Sequence, residues 1–165
     1  MLYKVDIAGM AMDPSSNTPI IILKAEEADQ AVPIWIGLLE ASAIASALKE
    51  IKFDRPMTHD LFKNFIEQMG ARITKIEICD LRDNTYYAQV YFDREEGSFS
   101  MDARPSDAIA LALRFQAPIY VDQQVVEKSA VVDSSVKMAD DSQEGRKWAD
   151  YLESLDEDDF GKYRM

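Results

Sequence analysis

The order of predicted elements occurs twice along the chain, and this repetition constrains the fold more than any other feature of the sequence. Each half reads as three strands, a helix and a short helix. A shift of 65 residues also superposes two short helical segments, placing Ala43-Ile44-Ala45 on Ala108-Ile109-Ala110 and Ala47-Leu48 on Ala112-Leu113. Two similar halves with apolar faces bury those faces against each other. The sequence therefore predicts one internally duplicated α+β domain over residues 1–135, with repeats of about 1–70 and 71–135.

Alternating apolar residues and turn residues place the individual elements. In the first half we predict strands over 3–12, 19–23 and 31–36, a helix over 38–51, and a helix with Thr58 as N-cap that stops at Gly70. In the second half we predict strands over 71–81, 85–92 and 98–102, a helix from Pro105 to 115, an extended segment over 117–121 and a short helix over 123–129. The helix over 107–115 is apolar on nearly every side, so we expect the other half or a second subunit to cover it.

Charge and composition exclude several classes of protein. The chain has 18 basic and 30 acidic residues and a net charge of −12, which is not the basic balance of a protein whose main task is to grip phosphate backbones. A nucleic-acid role therefore needs a local basic patch or bound metal ions. One cysteine and one histidine exclude a disulfide framework and a site with two histidines from one chain. Because we find no signal-peptide run and no apolar stretch near ~20 residues, we expect a cytoplasmic protein with no membrane span.

Residues 136–165 differ in composition from the rest of the chain. We predict a polar linker, a short helix over 144–155 and an acidic tail. Trp148, Tyr151, Leu152 and Leu155 share one face of that helix. This face either docks on the chain's own domain or binds a protein partner.

The first segment that could carry chemistry lies at a loop-to-helix junction. Arg55-Pro56-Met57-Thr58-His59-Asp60 places the chain's histidine, an arginine and an acid within six residues. The N-terminus of a helix offers free backbone amides to an anionic group, and His59 could act as a general base or a metal ligand near neutral pH. In the alternative interpretation Thr58 caps the helix, the negative charge of Asp60 interacts favourably with the helix dipole, and His59 points to solvent.

The second segment is the strand-to-helix junction at residues 102–107. Asp102 and Asp107 could hold a divalent cation through carboxylate oxygens, and Arg104 could hold a phosphate through two parallel hydrogen bonds. Alternatively, the arginine and the acids form an internal pair at a helix start. Glu40 occupies the equivalent junction of the first half, so we expect it either to pair with Arg104 or Arg55 or to take part in chemistry.

Other sequence features favour packing roles or exclude common enzymes. Trp35 lies between two isoleucines, and Cys79 lies in an alternating strand with no histidine nearby in sequence, so we expect both to be packing residues. The sequence has no phosphate-binding P-loop, no dinucleotide glycine fingerprint, no HExxH and no GxSxG. The usual ATPase, dehydrogenase, zinc protease and serine hydrolase classes are therefore excluded.

Taken together, these segments resemble the bifunctional nuclease family (the BFN domain). The matching segments are residues 32–37 with Glu40 and Ala41, residues 55–61, residues 104–114 and residues 117–119. The resemblance covers roughly residues 1–135 and implies a compact α+β domain, a homodimer, and nuclease activity toward DNA and RNA. It carries functional roles to Glu40, His59, Asp60, Arg104, Ser106 and Asp107. The C-terminal UVR motif of some relatives is not convincingly present in residues 148–163.

Two functions remain open from the sequence. In the first, Asp102, Asp107, Glu40 or Asp60 holds Mg²⁺ or Mn²⁺ in a phosphodiesterase. In it His59, Asp60, Glu40 and Asp107 are catalytic, and Arg104, Ser106 and Arg55 bind the substrate. In the second, the chain is a non-catalytic dimeric interaction module whose arginine–aspartate pairs are structural. A shared cleft for these side chains favours the enzyme, whereas mutual pairing away from solvent, with His59 far from the pair, favours the module.

Overall fold

The computed structural model describes residues 1–25, 30–129 and 154. The predicted helix over 144–155 and the acidic tail lie outside the described residues, apart from Ser154, and the domain boundary near residue 135 stays a prediction. Among the described residues, no helix has the length and apolar character needed to cross a membrane.

The predicted strands and helices are present, but the segment over 117–121 is a strand, so the second half has one strand more than the first and the predicted order is not fully repeated. Within residues 1–25 and 30–129, seven strands and four helices follow one another as β1 (Leu2–Asp13), β2 (Thr18–Ala25), β3 (Ala31–Trp35), α1 (Leu38–Leu48), α2 (Thr58–Gln68), β4 (Ala71–Arg82), β5 (Thr85–Arg94), β6 (Phe99–Ala103), α3 (Pro105–Phe115), β7 (Ile119–Asp122) and α4 (Gln123–Ser129). Pro105 is the first residue of α3, as predicted, because the fixed φ of proline suits that position. Gly70 has a φ of +68° after α2, which is the left-handed conformation expected of a glycine stop.

Two predicted helix ends are wrong by a few residues. The N-cap of α2 is Met57 and not Thr58, because the Asp60 carboxylate reaches back and accepts a hydrogen bond from the Met57 backbone N–H at 3.0 Å. A carboxylate at the third helical position commonly accepts a hydrogen bond from the N-cap amide in this way. Helix α1 ends at Leu48 and not at residue 51, because Glu50 adopts a left-handed φ of +53°.

The seven strands of the described part of the chain belong to a single sheet with the order β3-β2-β1-β7-β4-β5-β6. Strands β1 to β3 form an antiparallel meander at one end, and β4 to β6 form a second meander at the other. Strand β7 joins them because it pairs antiparallel with β1 and parallel with β4. The α+β class is therefore confirmed, while an origin by duplication stays a prediction.

The hydrophobic core lies between the sheet and its helices. It contains alternate residues of the central strands, such as Ile76 and Ile78 of β4, both fully buried. Helix α3 is the most buried of these four helices in the described part of the chain, with residues 108 to 112 all in the core. The chain's own α1 and α2 pack against it, and its alanines let the helix axes approach closely. This packing brings the N-terminal turns of α1, α2 and α3 to one corner of the domain.

Candidate functional site

The first turns of the three helices meet at this corner and supply its charged side chains. Glu40 lies in the first turn of α1, Asp60 in that of α2 and Asp107 in that of α3. Arg104 is the N-cap residue of α3, and His59 is the second residue of α2. We call Glu40, His59, Arg104 and Asp107 the corner cluster. Its members come from the starts of three helices, with 48 positions between His59 and Asp107 and 64 positions between Glu40 and Arg104.

Arg104 holds the corner cluster together. Its Nε donates to Asp107 Oδ2 at 2.8 Å and its Nη2 donates to Asp107 Oδ1 at 3.2 Å. Its Nη1 donates to Glu40 Oε1 at 2.9 Å, so Glu40 pairs with Arg104, which is one of the alternatives that the sequence left open. These bonds use three of the five N–H groups of the guanidinium. The Arg104 side chain remains 65% exposed, so its other N–H groups lie at the protein surface.

His59 joins the cluster through Asp107. Its Nε2 lies 3.0 Å from Asp107 Oδ1, and its side chain is 17% exposed. Burial raises the pKa of Asp107, but the hydrogen bonds from Arg104 and His59 outweigh burial and hold that pKa below its usual value. Since an ionised carboxylate only accepts hydrogen bonds, Nε2 carries the proton and Nδ1 of the neutral ring is left as an acceptor. A histidine oriented in this way by a carboxylate can take up a proton at Nδ1.

Gly37 makes room for the Glu40 carboxylate. A Cβ at this position would overlap Glu40 Oε2 and approach Glu40 Cδ to 2.9 Å. The backbone there is extended, with φ of −73°, so the glycine is needed for space and not for its conformation. The absence of a side chain at residue 37 therefore allows Glu40 to fold back toward Arg104.

Asp60 is part of a neighbouring ion pair that sequence reasoning missed. Its Oδ1 accepts a hydrogen bond from Arg114 Nε at 2.6 Å. Arg114 Nη1 also donates to the backbone oxygens of Ala43 and Ala110, at 3.1 and 2.9 Å. The Arg114 side chain is only 7% exposed, so this pair joins α1, α2 and α3 as a structural link. The signal in the sequence was the spacing of seven residues between Asp107 and Arg114, which puts both on one side of α3.

Asp102, which the sequence paired with Asp107 as a metal ligand, does not join the cluster. It lies opposite Gln89 in the β5–β6 pairing, and its neighbours in β6 lie opposite Val90 and Ala88. Val90 and Ala88 are buried in the core beneath the helices. Because side chains alternate along a strand, Asp102 faces the surface of the sheet that is turned away from α3.

The remaining candidates occupy separate positions. Arg55 is exposed and forms no ion pair with another described residue. Ser106 is buried in the first turn of α3 and lines a cavity beside Arg104. Trp35 donates from Nε1 to Asp13 Oδ2 at 2.9 Å. Burial raises the pKa of Cys79, so this thiol is a poor nucleophile near neutral pH.

The carboxylates of the corner cluster do not fit a divalent cation in this arrangement. Glu40 and Asp107 both bind Arg104, which already supplies positive charge at their oxygens. Within residues 1–25 and 30–129, no three His, Cys, Asp or Glu side chains converge as metal ligands. With His59 neutral, the corner cluster carries two negative charges and one positive charge.

Comparison with known proteins identifies relatives over most of the chain. Residues 21–134 match the bifunctional nuclease domain family. An uncharacterized protein of Mycobacterium tuberculosis is 35% identical over 162 residues, which cover 95% of this chain and 97% of that protein. Bifunctional nuclease 1 of Oryza sativa subsp. japonica is 31% identical over 109 residues, 64% of this chain and 33% of that protein. Bifunctional nuclease 2 of Arabidopsis thaliana is 26% identical over 120 residues, 69% of this chain and 36% of that protein. The chain thus matches about a third of the length of these plant proteins.

Proposed function

Because this chain belongs to the bifunctional nuclease domain family, we propose that it is a nuclease that hydrolyses phosphodiester bonds of DNA and RNA with little base specificity. The observation that carries this proposal is the hydrogen-bonded chain from His59 through Asp107 to Arg104 at an open corner of the domain. It combines a proton acceptor, an orienting carboxylate and an exposed guanidinium. These groups act on the phosphate and not on the base, which agrees with activity on both nucleic acids.

The proposed reaction assigns one role to each member of the corner cluster. Arg104 donates its remaining N–H groups to the non-bridging oxygens of the phosphate and stabilises the charge that develops there. His59 Nδ1 removes a proton from water as the water oxygen attacks phosphorus. The bond to the leaving sugar oxygen breaks, and that oxygen takes up a proton from solvent or from the imidazolium. Asp107 stabilises the imidazolium, and Glu40 holds Arg104 in place.

A requirement for Mg²⁺ or Mn²⁺ stays a separate proposal that an assay decides. A cation could enter the corner cluster only if Arg104 released one of its carboxylates. We assign no step of the reaction to a metal.

The test is an assay of the purified protein on single-stranded DNA and RNA oligonucleotides, with Mg²⁺, Mn²⁺ or EDTA. We expect His59→Ala to lower kcat by about 100- to 10,000-fold, the usual contribution of a general base, and Asp107→Asn to lower it as well. Asp80→Asn is the matched control, because Asp80 also binds cationic side chains but lies at the end of β4, where it contacts Lys128. Wild-type activity in both cluster variants would show that a contaminating nuclease cleaves the substrate.

One surface feature favours the competing function, a non-catalytic dimeric interaction module. Leu61, Phe65 and Met69 follow one side of α2, and each is more than half exposed. Exposed apolar stripes of this kind often mark protein interfaces. We therefore propose that the protein self-associates through this side of α2. Light scattering of the wild type and of Phe65→Glu tests it. A protein that dimerises but cleaves no nucleic acid under any condition supports the module. Recruitment of a protein by the acidic tail also stays a proposal.

A further inference from the structure

The two edges of the sheet differ in how well they are protected. Strand β3 forms one edge, where Val32, Pro33 and Ile34 are buried and the proline has no backbone N–H to offer an added strand. Strand β6 forms the other edge. Its residues 99–102 are exposed, and it pairs with β5 without a shift of register along its whole length. A regular, exposed edge strand presents unpaired backbone groups to another strand, so β6 is the edge that is open to pairing.

Two large apolar side chains of β6 lie open to solvent. Phe99 is 40% exposed and Met101 is 49% exposed. They lie opposite Phe92 and Val90 of β5, which are buried in the core, so they point to the side of the sheet that the helices cover. The ring of Phe99 stacks on that of Phe92, with centroids 4.8 Å apart. A strand added beside β6 would cover the parts of Phe99 and Met101 that β5 leaves exposed.

We propose that a second copy of this chain pairs with the β6 edge, so that the two β6 strands run antiparallel about a two-fold axis at Met101. In this register Phe99 lies opposite Ala103 of the second copy, and Ser100 lies opposite Asp102. Residues directly opposite each other in an antiparallel pair lie on the same side of the sheet. Apolar side chains therefore meet on the helix-covered side. On the other side the Ser100 hydroxyl can donate to the Asp102 carboxylate.

Other antiparallel registers of β6 with itself fit less well. A register centred between two residues sets apolar side chains opposite polar ones, because side chains alternate along a strand. A register centred on Asp102, the one charged residue of β6, sets two carboxylates opposite each other, which is destabilising. A register centred on Ser100 leaves Ala103 outside the paired segment. The register centred on Met101 pairs all five residues of β6. Because β6 is complementary to itself, a second copy fits this edge, and two-fold pairing is the commonest symmetry of soluble oligomers.

The paired edge leads directly to the corner cluster. Arg104 follows Ala103, the last residue of β6, and in the proposed register it lies opposite Ser98 of the second copy. The two copies of Arg104 are then six residues apart along the strands, or roughly 20 Å. The helices of both copies lie on the same side of the joined sheet, so both corner clusters face the same side of the assembly. The proposal follows from the sheet edge alone and does not rest on the nuclease function.

The first test measures assembly in a variant whose α2 surface is charged. The β6 edge is separate from the apolar side of α2, so Phe65→Glu should still dimerise through β6. Five residues of strand bury less than the roughly 800 Å² per partner of a standard interface, so we expect the dimer to dissociate on dilution. Sedimentation velocity from low to high micromolar protein in about 0.15 M salt shows this, since that salt limits the repulsion between copies of net charge −12.

A charge at the two-fold axis should dissociate this dimer. Adding Met101→Lys to Phe65→Glu sets two lysines opposite each other, and we expect the dissociation constant to rise about tenfold or more. Adding Leu48→Lys is the matched control, because Leu48 is 45% exposed and ends α1, away from the sheet edge. We expect it to keep the dissociation constant of Phe65→Glu. Circular dichroism confirms that each variant is folded.

A disulfide test checks the register. Directly opposite residues of an antiparallel pair have Cα atoms about 4.5–5.5 Å apart, which lies within the usual disulfide range of about 4.4–6.8 Å. The chain has one cysteine, Cys79, so Cys79→Ser/Met101→Cys carries one thiol per copy. We expect oxidised glutathione to link this variant into covalent dimers. Cys79→Ser/Leu48→Cys, the matched control, should stay largely unlinked.

Three results would overturn the proposal. The first is a monomeric Phe65→Glu at every concentration. The second is a dissociation constant that Met101→Lys leaves unchanged, or that Leu48→Lys raises equally, because the β6 edge would then have no special part in assembly. The third is covalent linkage through Met101→Cys that is no faster than linkage through Leu48→Cys.

Discussion

Replacing Arg114 with methionine removes a buried guanidinium that links all three helices of the site. The side chain is 7% exposed and pairs with Asp60, which is 30% exposed. It also donates to backbone oxygens of α1 and α3. Methionine fills much of the same space without charge, so the variant isolates the polar contacts from the packing.

The expected loss follows from how far the partner is buried. Removal of one partner from a fully buried ion pair costs roughly 3–5 kcal/mol. Because Asp60 is partly exposed and water can reach its carboxylate, we expect a smaller loss of about 2–3 kcal/mol in the free energy of unfolding. For a domain of this size the loss lowers Tm by about 8–12 °C. It also loosens the start of α2, so we expect nuclease activity to fall with stability.

Urea unfolding followed by circular dichroism gives the free energy of unfolding and its slope. Arg72→Met is the matched control, because Arg72 and Asp93 form an arginine–aspartate pair at 3.4 Å with 74% and 39% exposure. That surface pair is worth at most about 1 kcal/mol. The double variant Arg114→Met/Asp60→Asn should lose less than the sum of the two single variants. Equal losses for Arg114→Met and Arg72→Met would refute the structural role of this buried pair.

Three further predictions concern the corner cluster and Tyr86. Gly37→Ala should lower nuclease activity, because the new Cβ displaces the Glu40 carboxylate. We expect the free energy of unfolding to fall by less than about 1 kcal/mol. Unchanged activity would show that the position of Glu40 is unimportant. Asp107 has a depressed pKa in the folded state, so its stabilisation is present above the ordinary value of 3.8 and is lost as the pH falls further. The stability difference between wild type and Asp107→Asn should therefore shrink on acidification in urea unfolding from pH 6 to 2, and a constant difference contradicts this. The pKa of Tyr86 rises from 10.0 to about 12, so stability should fall as the pH rises from 10 through 12. Tyr86→Phe should flatten that decline, and absorbance at 295 nm should show one tyrosine titrating near pH 12.

Most elements and several local details of the site could be predicted from the amino-acid sequence. Proline at the start of α3 and glycine after α2 act within their own turn of chain, so Pro105 and Gly70 were predictable without any tertiary contact. The two junctions were recognisable because charged residues cluster where a strand or a loop meets a helix. The pairing of Glu40 with Arg104 was one of the alternatives that the sequence left open, beside a pair with Arg55 and a part in the chemistry.

The tertiary structure decided which of those charged residues meet. His59 and Asp107 are 48 positions apart and 3.0 Å from each other, because α2 and α3 pack side by side. Asp102 is five positions from Asp107 but faces the opposite surface of the sheet, since a strand turns each successive side chain to the other side. Arg114 links the helices because α1 and α2 pack next to it and supply the Ala43 backbone oxygen and the Asp60 carboxylate as acceptors. Short-range sterics fix where an element begins and ends, whereas the partner of a side chain depends on packing between elements that are distant in the chain.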